Sequence, residues 1–212
     1  MHGPPPTGHS RRRPRRRGLP LFVVMSFFLI AGCHSAMSTQ AATASSQHAG
    51  NSLPLRFKQH SFEAYCYNTQ DCSVVYNGDE LTRYAAGKAS PPPPSTDYRE
   101  RTWGGAPVIG IRNFPPPAQV SWTSKDGAAH EAAVDIGSIF KDELVLHQVP
   151  DGEIPDGTFN GPAGEPEIVL EVNDRTISVY MKMFIPTKSA QIAGNPNSFF
   201  RDDIVKAWSK TY

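Results

Sequence analysis

The 212 residues carry 21 Lys+Arg against 20 Asp+Glu, with 39% hydrophobic residues and three cysteines. That is enough for one domain with a sizeable core, and too few cysteines for a disulfide-dense scaffold or a four-cysteine metal site. Six of the bases and none of the acids lie in residues 1–32, so the other 180 residues hold 15 bases against 20 acids, a formal charge of −5. Such a balance disfavours nucleic acid and suits a basic protein partner.

Taken from the N-terminus, residues 1–32 read as a bacterial lipoprotein signal peptide. Arg11, Arg12, Arg13, Arg15, Arg16 and Arg17 form a basic stretch, and the apolar run of residues 19–31 follows directly. This order keeps the positive end in the cytoplasm while the apolar part enters the bilayer. The 13 residues of the run are too few for a permanent span, since about 20 are needed to cross roughly 30 Å of hydrocarbon. Ile30-Ala31-Gly32-Cys33 has the pattern of a lipobox: an aliphatic residue, two small ones and a cysteine at the cut. An ordinary secretory signal with an incidental cysteine is the alternative. The mature chain is expected to begin at Cys33, with the lipid on its thiol. The arginine run fits either the general or the twin-arginine export route.

Residues 33–52 are rich in Ser, Ala, Thr and Gln, and are expected to be a flexible lipidated tether. Residues 53–212 are expected to form one β-rich domain. Strands are predicted over 61–67, 73–76, 108–113, 119–124, 128–136, 144–149, 168–172 and 176–185. With Cys33 assigned, Cys66 and Cys72 remain. A C-x5-C pair in an exported chain points to a disulfide closing the polar loop Tyr67-Asn68-Thr69-Gln70-Asp71, read as a stapled β-hairpin tip. Two free thiols or half of a metal site are the alternatives, and no other cysteine is left to complete such a site. The four prolines 91–94 lie in a polar 85–101 loop expected to be mobile, whereas prolines 115–117 read as a stiff connector. Lys125-Asp126-Gly127 reads as a tight hairpin turn, because Asp-Gly accepts positive φ.

The strongest strand pair is 168–172 with 176–185, joined at Asn173-Asp174. In its second strand Ile177, Val179, Met181 and Met183 alternate with Ser178, Tyr180 and Lys182, which predicts one buried and one mixed face. At the C-terminus, Ser198 as a cap and Phe200, Ile204, Ala207 and Trp208 as one stripe predict a helix. Asp202 and Asp203 would sit at its positive end, and Lys206 and Lys210 at its negative end. The expected class is α+β: a single domain, mainly antiparallel β-sheet with a C-terminal helix packed on it.

No catalytic set emerges. There is no G-x-S-x-G elbow. His130-Glu131 begins like a zinc-protease helix, but Val134 stands where the second histidine is required, and the segment reads as strand. His130 shares parity with Ala132, Val134 and Ile136, and His147 with Val145 and Val149, so both read as satisfied core or edge histidines. Asp151, Glu153 and Asp156 could gather round calcium, but Gly152, Pro155 and Gly157 favour a solvated turn. Trp103-Gly104-Gly105 lacks the rest of a phosphate loop. Neither enzymatic activity nor a cofactor is expected.

Several strings carry a resemblance: Tyr65-Cys66-Tyr67-Asn68-Thr69 with Cys72-Ser73-Val74-Val75-Tyr76; Gly110-Ile111-Arg112-Asn113-Phe114-Pro115-Pro116-Pro117-Ala118; Val120-Ser121-Trp122; Leu144-Val145-Leu146-His147; Leu170-Glu171-Val172-Asn173-Asp174-Arg175-Thr176-Ile177; and Phe200-Arg201-Asp202-Asp203. Together, over about residues 57–212, they resemble small proteobacterial lipoproteins that act as immunity proteins for type VI secretion lipase effectors. The resemblance implies a periplasm-facing lipoprotein, held on a membrane through Cys33, that binds and neutralises a secreted phospholipase. It would do so by blocking the active-site entrance or stopping a lid from opening. It carries no catalytic motif. By resemblance to enterobacterial sorting, His34 after Cys33 favours the outer membrane. Candidate contacts are Tyr98, Arg101 and Trp103 in the 85–105 loop, and Asp151, Glu153 and Asp156 in the acidic turn. The alternative reading is an envelope structural or ligand-binding lipoprotein with no toxin partner.

Overall fold

The computed structural model describes residues 50–83 and 88–212. The leader, lipidation at Cys33 and all of the tether before residue 50 lie outside the described residues.

Period-two alternation dominates the chain, and strands account for most of its regular structure. They are β1 (Gln59–Tyr67), β2 (Gln70–Tyr76), β3 (Asp79–Arg83), β4 (Val108–Arg112), β5 (Ala118–Thr123), β6 (Ala129–Val134), β7 (Glu167–Asn173), β8 (Thr176–Lys182), β9 (Ile185–Pro186), β10 (Phe200–Arg201) and β11 (Ile204–Thr211). One sheet runs β11-β8-β7-β1-β4 and the other β3-β2-β5-β6, while β9 and β10 form a short ribbon. Among the described residues every strand pairing is antiparallel except β1 with β7, which is parallel from Ser61–Glu167 to Tyr67–Asn173. Inward residues of the two sheets form one core: Phe62, Ala64 and Cys66 of β1, Val74 and Tyr76 of β2, Val120 and Trp122 of β5, Ile168 and Leu170 of β7, Val179 and Met181 of β8. Each large apolar side chain so buried contributes roughly 1.5–3 kcal/mol.

Several expectations change. The first is the C-terminal helix: residues 204–211 are an edge strand on β8. Trp208 is opposite Val179 although Lys206 is opposite Tyr180, so Ala207 is the extra residue of a β-bulge. The bulge leaves Ala207 and Trp208 both packed on the core, three and four residues after Ile204, which packs on the outer face, and this spacing imitates helical periodicity in the sequence. Ser198 caps no helix either. Its hydroxyl donates to the Asn195 carbonyl at 2.8 Å and accepts from the Ile192 amide at 2.9 Å, closing a turn.

The second change is the Cys66–Cys72 loop. The disulfide is present, with Cα atoms 6.4 Å apart. Yet β1 pairs with β4 and β7, whereas β2 pairs with β3 and β5, so the bridge staples a corner between two sheets and not a hairpin. Asn68 and Asp71, at φ 56° and 50°, make that corner. The third is segment 144–149, which has one bridge (Leu144 with Arg56) and no ladder, although Val145 and Val149 are buried as their parity implies. Strand 128–136 also stops early, because Asp135 accepts a 2.9 Å bond from the Ser138 amide and caps a short helix, α2 (Ile136–Ile139).

Three turns converge at one end of the sandwich. Trp122 Nε1 donates to the Asp174 carbonyl at 2.7 Å, the Lys125 amide to Asp174 Oδ1 at 2.8 Å, and the Asp174 amide to the Tyr67 carbonyl at 3.0 Å. The disulfide corner, the 125–127 turn and the β7–β8 turn are therefore one locked unit.

Candidate functional site

Alternation in β1, β7 and β8 sends Glu63, Tyr65, Tyr67, Glu167, Val169, Glu171, Ser178, Tyr180 and Lys182 to the outer face of the five-stranded sheet. This face is covered. Ser90 fixes the start of the covering segment, its amide donating to the Thr69 carbonyl at 2.7 Å, and α1 (Tyr98–Thr102) and Trp103 then cross the sheet. The described part of the proline-rich loop is therefore anchored where mobility was expected. Tyr98 and Trp103 are each 4% exposed and pack with Tyr67, Val169 and Tyr180.

A carboxylate anchors α1. Glu171, 3% exposed, accepts from the Tyr98 hydroxyl and takes the Arg99 guanidinium bidentately at 2.8 and 3.2 Å. The guanidinium carbon lies 4.6, 5.0 and 5.5 Å from the ring centroids of Tyr98, Tyr180 and Trp103. Fork geometry and ring contacts together make this a strong ion pair.

Beside it sits a carboxyl pair. Glu63, also 3% exposed, accepts from the Tyr65 hydroxyl at 2.9 Å and the Gly104 amide at 3.4 Å. Burial first, and then the hydrogen bond to and charge of Glu63, push the neighbouring Glu167 carboxyl up to about 7 against the pull of Lys182. Glu167 Oε1 is buried without a hydrogen-bond partner among the described residues. Lys182 Nζ donates to the Trp103 carbonyl at 3.2 Å and pairs with Asp202 at 3.3 Å. Sequence reading missed Glu63, Glu167 and Glu171. Their signal was three acids at outward positions of strands otherwise rich in buried residues.

A serine, an aspartate and a histidine also meet at the β5–β6 turn. Ser124 Oγ lies 2.8 Å from His130 Nε2 and donates to Asp126 Oδ1 at 2.5 Å. This is a turn lock. Ser124 is 1% exposed, its hydroxyl also donates to the Ala128 carbonyl at 3.1 Å, and the aspartate bonds the serine where a triad needs it on the histidine. His130 stacks on Trp122 at 4.9 Å, a satisfied histidine as its parity implied. His60 was not singled out, yet it is fully buried between Asn113 Oδ1 at 2.9 Å and the Tyr76 hydroxyl at 3.1 Å.

The proposed contacts separate. Arg101 is on the surface, in an exposed 3.8 Å pair with Asp97, while Tyr98 and Trp103 support it from beneath. In the acidic turn Glu153 accepts from the Ser189 hydroxyl at 2.7 Å and Asp156 pairs with Lys188 at 3.3 Å, while Asp151 is exposed. These carboxylates hold the 188–189 segment and do not converge; among the described residues no group of three or more His, Cys, Asp or Glu could hold a metal ion. No helix among the described residues is long and apolar enough to cross a membrane.

Between α1 and the 191–204 segment lies an open groove of about 590 Å³, lined by Glu100, Lys182, Ile192, Phe200, Arg201 and Asp202 among others. Compared with known proteins, the chain matches no family model, no curated protein and no solved structure.

Proposed function

We propose that this protein is a lipid-anchored inhibitor, facing the periplasm, that binds and neutralises a phospholipase delivered by type VI secretion. The observation that carries the reading is the joining, in one chain, of the lipobox at Cys33 to the strings over residues 57–212 that resemble immunity lipoproteins. The physical logic is concentration. A phospholipase must work at the membrane surface, and a tethered inhibitor is held at a raised effective concentration at that surface. The acidic mature balance suits encounter with a basic enzyme.

The test is to express such a lipase in the periplasm with and without this chain. Survival with the chain and death without it supports the reading. Equal death in both leaves the envelope structural or ligand-binding role as the better account. Cys33→Ala tests the anchor separately: a variant that still partitions with the membrane refutes lipidation.

A further inference from the structure

We infer that the groove between α1 and the 191–204 segment seats a surface loop of a partner protein that carries an arginine or lysine beside an apolar side chain. The inference rests on the phospholipase-inhibitor reading for the identity of the partner, and on the following geometry for its chemistry.

Of the six exposed large hydrophobic residues among those described, four fall in one stretch: Phe184 at 57%, Ile192 at 60%, Phe199 at 47% and Phe200 at 39% exposure. Phe184 and Phe200 stack at 4.7 Å between centroids, across the β9–β10 ribbon, so the two rings brace each other without a partner. Phe200 and Ile192 both line the groove. Exposed apolar groups clustered beside an open groove mark an interaction surface, and aromatic residues are enriched where proteins meet.

The charges of the groove choose the partner's sign. Its ionised groups are Glu100, Asp202 and Asp203 against Lys182 and Arg201. Both cations are committed. Lys182 holds the Trp103 carbonyl and Asp202, while Arg201 forks onto Asp203 at 2.7 and 3.1 Å and reaches Gln148 at 3.3 Å. Glu100 is exposed and has no hydrogen bond or ion pair among the described residues, and the Asp202 side chain is 51% exposed. The uncompensated charge is therefore negative and sits on Glu100 of α1, on the opposite side of the groove from the segment that bears Phe200 and Ile192. A guanidinium beside an apolar residue satisfies both walls at once. The fold holds its own Arg99 in this way, between Glu171 and three rings.

The experiment uses the full chain and, as probe, a catalytically inactive form of the phospholipase whose toxicity the chain suppresses. Glu100→Lys and Phe184→Ser alter exposed side chains, and thermal unfolding establishes that each variant folds as the parent does. Should Phe184→Ser fail to fold, Glu100→Lys alone decides. The expected result is at least tenfold weaker binding for each, loss of protection in cells, and a shallower salt dependence for Glu100→Lys. Parent protection with both variants binding within twofold of it overturns the groove and leaves the inhibitor reading intact. A parent that neither binds nor protects overturns the inhibitor reading and this inference with it.

Discussion

Replacing Glu167 by Gln should make the domain more stable at pH 8 than the parent and leave it unchanged at pH 5. The parent carboxyl titrates near 4.5 when unfolded and about 7 when folded, because burial and Glu63 oppose its ionisation. Between those values the folded state binds a proton that the unfolded state has lost, so parent stability falls as pH rises. At about 1.4 kcal/mol per unit the ceiling is about 3 kcal/mol, and solvent screening of a partly exposed carboxyl reduces it to about 1.5 kcal/mol. An amide at position 167 can still donate to Glu63 but does not titrate. Urea unfolding of both proteins at pH 5, 6, 7 and 8, with the disulfide intact, gives the comparison. Curves that stay parallel over that range would refute a raised Glu167 pKa in the folded protein. The His60 contribution, of opposite sign, is common to both proteins and cancels.

Burial lowers the His60 pKa below its usual 6.5, so the unfolded state takes up a proton first and stability is lost as pH falls below about 6.5. His60→Phe should flatten that acid limb in denaturant unfolding, at a cost of about 1–3 kcal/mol at pH 7 from the stranded Asn113 and Tyr76 groups. Arg99→Met leaves Glu171 buried without its counter-ion and should cost about 2–3 kcal/mol by thermal unfolding, with the further change Glu171→Gln recovering most of it. Removing the disulfide with Cys66→Ala and Cys72→Ala should cost about 2 kcal/mol, the loop-closure entropy of so short a ring, and abolish any effect of reductant on the melting temperature.

Much of the strand inventory was legible because alternation is a local property. The 125–127 turn and the β7–β8 pair stand where period two and Asp-Gly chemistry put them. What was illegible depends on partners far along the chain. Nothing near Cys66 says that the strand before it and the strand after it join different sheets. The bulge at Ala207 is imposed by pairing with β8, and in isolation its spacing reads as helix. The same holds for the aromatic residues of the proline-rich loop. Tyr98 looks like a surface anchor until Glu171, 73 positions later, supplies a buried acceptor, and Trp103 until the Tyr180 ring gives it a packing partner. Sequence located the segment and the Arg101 surface, and packing decided which side chains face solvent.

The parallel pairing of β1 with β7 also bears on how the protein is made. Ser61 lies beside Glu167, 106 positions later, and β1 joins β7 to β4 in the five-stranded sheet. A chain threaded N-terminus first cannot complete the middle of that sheet until about residue 173 has emerged. Such non-local pairing folds slowly. Because β7 lies in the last quarter of the polypeptide, the middle of this sheet stays open until most of the chain has been made.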